Sequence, residues 1–322
     1  MWALQQNILN QQAVPIKPWG LFMSVIKTTG LTKLYSGNPA VSDLNLEVEN
    51  GEVYGFLGPN GAGKSTTIDM LMNYTRPSTG TLTVLGRDAQ QDASEIHART
   101  GILPDQFGVY STLTGREHAS YILDANDATG DPEAILKRVG LGDAVDQRAG
   151  GYSKGMEQRL GLAMAIAGEP ELLILDEPFS GLDPYGVRLV REVVAAERDR
   201  GATVFFSSHV LDQVERVCDR VGLLSDGHLI AEGTPKELRD MAGVRTQLSI
   251  ETNSDDPPLQ AISELADVED VFYDSGRVIV TCPRTVCYRV LETLDSAGVN
   301  IQSFDIEQGT IEDAFVELAT ES

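Results

Sequence analysis

The chain has 322 residues, 42% of them hydrophobic, enough for one large domain with a sizeable core or for one with a small appendage. Its 48 acidic residues against 25 basic ones set a net charge of −23, a surface that repels nucleic acid and anionic headgroups and excludes both as primary partners. No run of about 18 apolar residues appears, so no segment is expected to span a bilayer. The acid is scattered and lysine is scarce, a balance expected of a halophilic protein working in concentrated salt. The 3 cysteines form no CxxC pair and the 4 histidines are dispersed, so neither a disulfide framework nor a zinc site is expected.

Residues 1–22 have no basic start, an apolar stretch broken by Lys17 and two prolines, and no cleavage site, so they are not read as a signal peptide. They are expected to be a poorly ordered extension, and the first well-patterned segment opens at Met23. Residues 44–48 and 53–57 read as strands, with a helix beginning near Gly63. Residues 81–85 make another strand, and a largely helical stretch runs from about Thr114 to Ala167. Short apolar strands follow at 172–175, 203–206 and 221–224, separated by helical patterns. That rhythm predicts a buried parallel sheet flanked by helices. Thr234, Pro235 and Glu237 supply an N-cap, a first-position proline and a reciprocal glutamate, and the helix they start closes the first unit near Met241.

Beyond Gly243 the pattern changes. A strand at 247–251, a helix at 259–265, strands at 271–273 and 278–281 around a turn, a helix at 285–297 and a strand at 301–306 make a βαββαβ order. This is the ferredoxin-like split unit, followed by one more helix capped by Thr310 with Asp313. It carries no chemical motif.

The motif that carries chemistry is Gly58, Pro59, Asn60, Gly61, Ala62, Gly63, Lys64, Ser65 and Thr66, which fits GxxxxGK[ST] after a strand and before a helix. Its glycines let backbone N–H groups turn toward a β-phosphate, and the helix start adds partial positive charge. Lys64 can reach the β- and γ-phosphates, and the Ser65 hydroxyl can ligate Mg²⁺. A second piece is the apolar strand 172–175 followed by Asp176 and Glu177. Asp176 is placed to hold Mg²⁺ directly or through water, and Glu177 to orient or deprotonate the attacking water.

With YSKGM at Tyr152, ILDEP at Ile174, SGLDP at Ser180 and His209 after a strand, these motifs occur in the order of an ATP-binding cassette (ABC) nucleotide-binding domain. The chain resembles that family over about residues 24–241. The implied fold is α/β: a P-loop NTPase (RecA-like) core with the ABC β-subdomain and a helical subdomain, plus the small C-terminal α+β ferredoxin-like domain. The implied organisation is an extension at 1–22, an ATPase domain at 23–242 and an accessory domain at 243–322, the last similar to the appendage of export-type systems.

The resemblance also implies the partners: a second ATP-binding subunit, giving a homodimer paired head to tail, and a separate integral membrane permease, with the chain on the cytoplasmic face of the membrane. In such a pair Ser153 and Gly155 would contact the γ-phosphate of ATP held by the other chain; Ser153 also reads as a helix N-cap. Tyr35 falls where an aromatic ring stacks on adenine, although a surface or core ring fits the sequence as well. Asp183 matches the acidic residue that communicates across the dimer, and equally reads as an N-cap before Pro184. His209 matches the switch histidine that senses the γ-phosphate.

Two departures stand out. The family's Leu-Ser-Gly-Gly-Gln is here Tyr152-Ser153-Lys154-Gly155-Met156, which keeps the serine and the second glycine. The family's glutamine, which touches Mg²⁺ and water, should fall just after Pro104, where Asp105 stands and Gln106 comes next; either can fill the role. ATP and Mg²⁺ are the implied cofactors. The alternative function is a non-transport ABC ATPase acting on ribosome or DNA, which the acidic charge opposes.

Overall fold

The computed structural model describes residues 24–321 except 245 and 255, so the extension expected at 1–22 lies outside the described residues. Strands β1 (Ser24–Tyr35) and β2 (Asn38–Glu49) form an antiparallel hairpin. Ser36 and Gly37 turn it with φ of 51° and 87°, the left-handed pair that a type I′ turn requires. Then come β3 (Val53–Leu57), α1 (Lys64–Leu71), β4 (Thr79–Val84), β5 (Arg87–Asp88), α2 (Ala93–His97) and β6 (Thr100–Leu103). Helices α3 (Gly115–Ala125), α4 (Pro132–Arg138) and α5 (Lys154–Ile166) lead to β7 (Leu172–Asp176), α6 (Pro184–Asp199) and β8 (Thr203–Ser208). The short α7 (Leu211–Val214), β9 (Arg220–Ser225), β10 (His228–Gly233) and α8 (Pro235–Met241) complete this part.

The central sheet has the order β10-β9-β3-β8-β7-β6, parallel from β9 to β6, with β10 antiparallel on the edge. β3 and β7 are buried at every position, as strands covered on both faces must be. Alternate side chains feed two cores. Tyr54 and Phe56 join Ile174 and Phe205 toward the sheet formed by β2, β1, β4 and β5. Val53 and Leu57 join Leu175 and Phe206 toward α5 and α6, which contribute Leu160 and Val190.

Four strands fall outside those expected: β1, β10, and the short β5 and β6. β1 carries register shifts that break its alternation, and β10 is an only partly buried edge. The largely helical stretch from Thr114 to Ala167 is divided into three helices. Thr114 and Glu117 close a reciprocal cap on α3, Asp131 caps α4 with Pro132 at its first position, and Gly140 follows α4 at φ 68°. Each is a start or stop signal of known type.

Strands β11 (Thr246–Thr252), β12 (Asp270–Asp274), β13 (Arg277–Cys282) and β14 (Ile301–Gln308) build a separate antiparallel sheet in the order β12-β13-β11-β14. With α9 (Leu259–Ser263) and α10 (Cys287–Ser296) it has the ferredoxin-like topology, around a core that includes Ile250, Val280, Val290 and Leu294. The last helix, α11 (Ile311–Glu321), is capped as expected: the Thr310 hydroxyl accepts from the Asp313 N–H, and the Asp313 carboxylate accepts from the Thr310 N–H. It does not cover its own sheet. It packs on α7 and α8, and Ile311, fully buried, shares a core with Val214 and Leu238.

Ile311→Ala is therefore expected to lower the unfolding free energy by about 2–5 kcal/mol. A chemical denaturation midpoint equal to wild type would mean that α11 is not docked there.

Candidate active site

The loop from Gly58 to Gly63 joins the carboxyl end of β3 to α1, and tight contacts explain its glycines. Gly63 takes φ 104°, and a Cβ there would strike the Ala40 carbonyl. A Cβ on Gly58 would strike the Leu224 carbonyl. The Gly58 N–H donates to the Ser208 carbonyl (3.3 Å), fastening the loop to the end of β8. Lys64 is buried, and its Nζ donates to the carbonyls of Gly58 (2.7 Å) and Pro59 (3.1 Å) while standing 3.6 Å from Glu177 Oε1.

An open cleft of about 320 Å³ lies above these strand ends. Asn60, Gly61, Gly63, Lys64, Ser65 and Thr66 line one side, with Asp105, Glu177 and His209 facing them. Asp105 extends from β6, Glu177 from β7 and His209 from β8, so three further strand ends meet the phosphate loop. The Glu177 carboxylate accepts from His209 Nδ1 (2.8 Å). Glu177 itself holds φ 51°, a left-handed conformation that costs a non-glycine residue roughly 1–3 kcal/mol and persists only where neighbours enforce it. Its N–H donates to Ser207 Oγ (3.1 Å), and its carbonyl accepts from the Ser180 N–H (3.0 Å).

Asp176, beside it, is 5% exposed. Burial pushes its carboxyl above the usual range; hydrogen bonds from the Ser207 and Ser65 hydroxyls pull the other way, and the nearby carboxylates of Asp105 and Glu177 add to the rise. A serine hydroxyl hydrogen-bonded to a desolvated carboxylate is a pair of hard oxygens facing a phosphate loop, which suits Mg²⁺ completed by phosphates and water. Among the described residues no cluster of three or more acidic, histidine or cysteine side chains could hold a metal alone. A site completed by nucleotide needs none.

Not every expected residue meets the cleft. Gly58, Pro59, Ala62, Asp176, Gln106, Tyr35, Ser153, Gly155 and Asp183 do not line it, although Asp176 lies just beneath, beside Glu177. Tyr35 ends β1, exposed, with Lys33 Nζ 4.9 Å from its ring centroid. Ser153 caps α5 and Asp183 caps α6, its carboxylate accepting from the Gly186 N–H (2.7 Å). The cleft also includes Ser180, whose backbone N–H meets the Glu177 carbonyl, and the Ser207 hydroxyl braces it from below; neither contact is written in the local sequence.

A model described as ABC transporter matches residues 41–180. Over 300 residues the chain is 33% identical to the bacitracin transport ATP-binding protein BcrA of Bacillus licheniformis, covering 92% of this chain and 97% of that protein. The chain belongs to the ABC transporter ATP-binding proteins. Another relative, the daunorubicin/doxorubicin resistance ATP-binding protein DrrA of Streptomyces peucetius, is 34% identical over 91% of this chain and 92% of its own length. A solved ATP-binding subunit of an ABC transporter superposes with a TM-score of 0.63 at 28% identity, over 68% of this chain and 94% of that one. The ABC subunit described here is thus an ATP-binding, ATP-hydrolysing component that drives transport, and it dimerises and works with a membrane permease. No helix among its described residues is long and apolar enough to cross a membrane.

The raised Asp176 carboxyl contributes stability below its unfolded value that is lost as pH rises through its folded value. Asp176→Asn removes the buried charge, so its thermal midpoint should exceed that of wild type at pH 7–8 and the gap should close toward acid. A gap that widens toward acid would contradict the sign.

Proposed function

We propose that this ABC subunit pairs head to tail with a second copy of itself around two ATP-Mg and drives export through a separate permease, on the cytoplasmic face of the membrane. The observation that carries this reading is the division of phosphate-seeking residues into two groups. Asn60, Gly61, Gly63, Lys64, Ser65 and Thr66 of the phosphate loop line its own cleft with Asp105, Glu177 and His209, whereas Ser153 and Gly155 stand outside it at the start of α5. A hydroxyl, a glycine N–H and a helix start, all favouring a terminal phosphate, are then left for the nucleotide of another chain. Export is supported by near full-length similarity to relatives named for antibiotic transport and drug resistance.

In the reaction, the backbone N–H groups of the phosphate loop hold the β-phosphate, and Lys64 turns from the Gly58 and Pro59 carbonyls to the β- and γ-phosphates. Ser65 and Asp176 would hold Mg²⁺, and Asp105, which reaches the cleft, would stand in for the family glutamine in preference to Gln106. Mg²⁺ held there would supply charge neutralisation for the phosphate oxygens as the reaction proceeds. Glu177 accepts a proton from the attacking water, while His209 Nδ1–H, donating to Oε2, fixes the carboxylate and faces the γ-phosphate. Tyr35 stacks on adenine. Asp183, at the head of α6, meets the second chain across the interface. Residues 23–242 form the ATPase unit and 243–322 the accessory unit.

Glu177→Gln should slow steady-state ATP hydrolysis about 100-fold or more while retaining ATP binding. In light scattering it should be a dimer with ATP and a monomer without. Tagged and extracted from its own membranes in high salt with ATP, it should bring down a polytopic membrane protein in equal amount. Recovery with ribosomes, or as a soluble chain with no membrane partner, would overturn the export reading.

A further inference from the structure

Glu177 is held by its side chain from the cleft and by its backbone from below. The side-chain contacts, to Lys64 and His209, face the nucleotide. Of the backbone contacts, the Ser207 hydroxyl belongs to β8 and the Ser180 N–H to the turn that follows Glu177 itself. One comes from elsewhere. The side-chain amide of Gln158, on α5, donates to the Glu177 carbonyl (3.2 Å). Gln158 is buried, 7% exposed, and lies little more than one helical turn from Ser153, which caps the same helix. The first turn of α5 also abuts the loop after Glu177: a Cβ on Gly181 would lie 3.1 Å from the Lys154 stem, and one on Gly155 would lie 3.5 Å from the Gly181 carbonyl.

We propose that Gln158 is a positioning residue for Glu177, tying the backbone of the general base to the place of the signature helix. The inference rests on the head-to-tail reading above and adds a link within one chain. Ser153 and Gly155 serve the nucleotide of the second subunit, Glu177 serves the chain's own, and Gln158 joins the two. A left-handed glutamate is a sensitive point for such a link, because relaxation of φ and ψ there swings the carboxylate away from the water it must meet. When α5 is seated by the γ-phosphate of the other site, its amide holds the Glu177 carbonyl and the carboxylate stays aimed. When α5 is displaced, that hold is lost and hydrolysis slows with ATP still bound. The shared geometry gives a physical reason for the two sites of the dimer to act in step.

The test uses the full chain with Gln158→Leu and Gln158→Met, both of which remove the donor at similar volume, so that one serves if the other does not fold. ATP affinity, read by fluorescence titration with a labelled ATP, should stay within about twofold, while kcat falls about tenfold, the scale of one lost buried hydrogen bond. In the Glu177→Gln background the same changes should lower the residual rate less than about twofold, because the group being positioned is already gone. A side chain that only supports the fold would lower ATP affinity and kcat together and would act in both backgrounds. Wild-type kcat in a folded variant, or a tenfold loss that persists in Glu177→Gln, overturns the proposal. A wild-type chain that hydrolyses no ATP, alone or with its permease, overturns the transport reading first.

Discussion

The cleft depends on four parallel strands ending side by side. In the register of the central sheet Leu57 lies opposite Ser208, Asp176 opposite Ser207 and Leu103 opposite Leu175. The residues that follow these ends therefore emerge together, and parallel pairing alone makes all of them point the same way. The phosphate loop after β3, the acidic pair at β7, His209 after β8 and Asp105 after β6 are neighbours for that one reason. Residues up to 150 positions apart thus meet within hydrogen-bond reach. The Gly58 N–H bond to the Ser208 carbonyl then locks the loop to the strand that leads to His209.

Within the cleft, charge is held where folding alone would not put it. Asp176 is a buried carboxylate kept above its ordinary pKa, and Glu177 keeps a backbone conformation that glycine would adopt at lower cost. Both are unfavourable for the fold and useful for chemistry. The hydroxyl of Ser207 serves both residues, donating to the Asp176 carboxylate and accepting from the Glu177 N–H. Lys64, meanwhile, is satisfied by carbonyls of its own loop, so nucleotide binding exchanges one set of acceptors for another rather than filling a void.

The C-terminal helix gives the molecule its second organising contact. α11 belongs by sequence to the last unit, yet it buries Ile311 against α7 and α8 beneath the segment that carries His209. The small antiparallel sheet keeps its own core and is joined to the ATPase part through this helix.

Most of the strands and the phosphate-loop motif were legible in the residues themselves. Short, wholly apolar runs such as 172–175 can only be buried strands, GPNGAGKST can only be read as a phosphate loop in its strand-to-helix setting, and Thr-Pro-Lys-Glu at 234–237 starts a helix wherever it occurs. β1 and β10 were not legible, because bulges and edge exposure blur alternation, and β5 and β6 were not because two and four residues are too short to show a period. The choice between Asp105 and Gln106 was also open in the sequence, since one residue of loop register turns a side chain toward or away from a cleft. Ser207, Ser180 and Gln158 were silent for a related reason: Ser207 and Gln158 work through hydrogen bonds to residues distant in sequence, and Ser180 through its own backbone. Local propensity and motif spacing are properties of a segment and survive in the sequence. Which donor finds which acceptor across the sheet is a property of packing, and only the tertiary structure decides it.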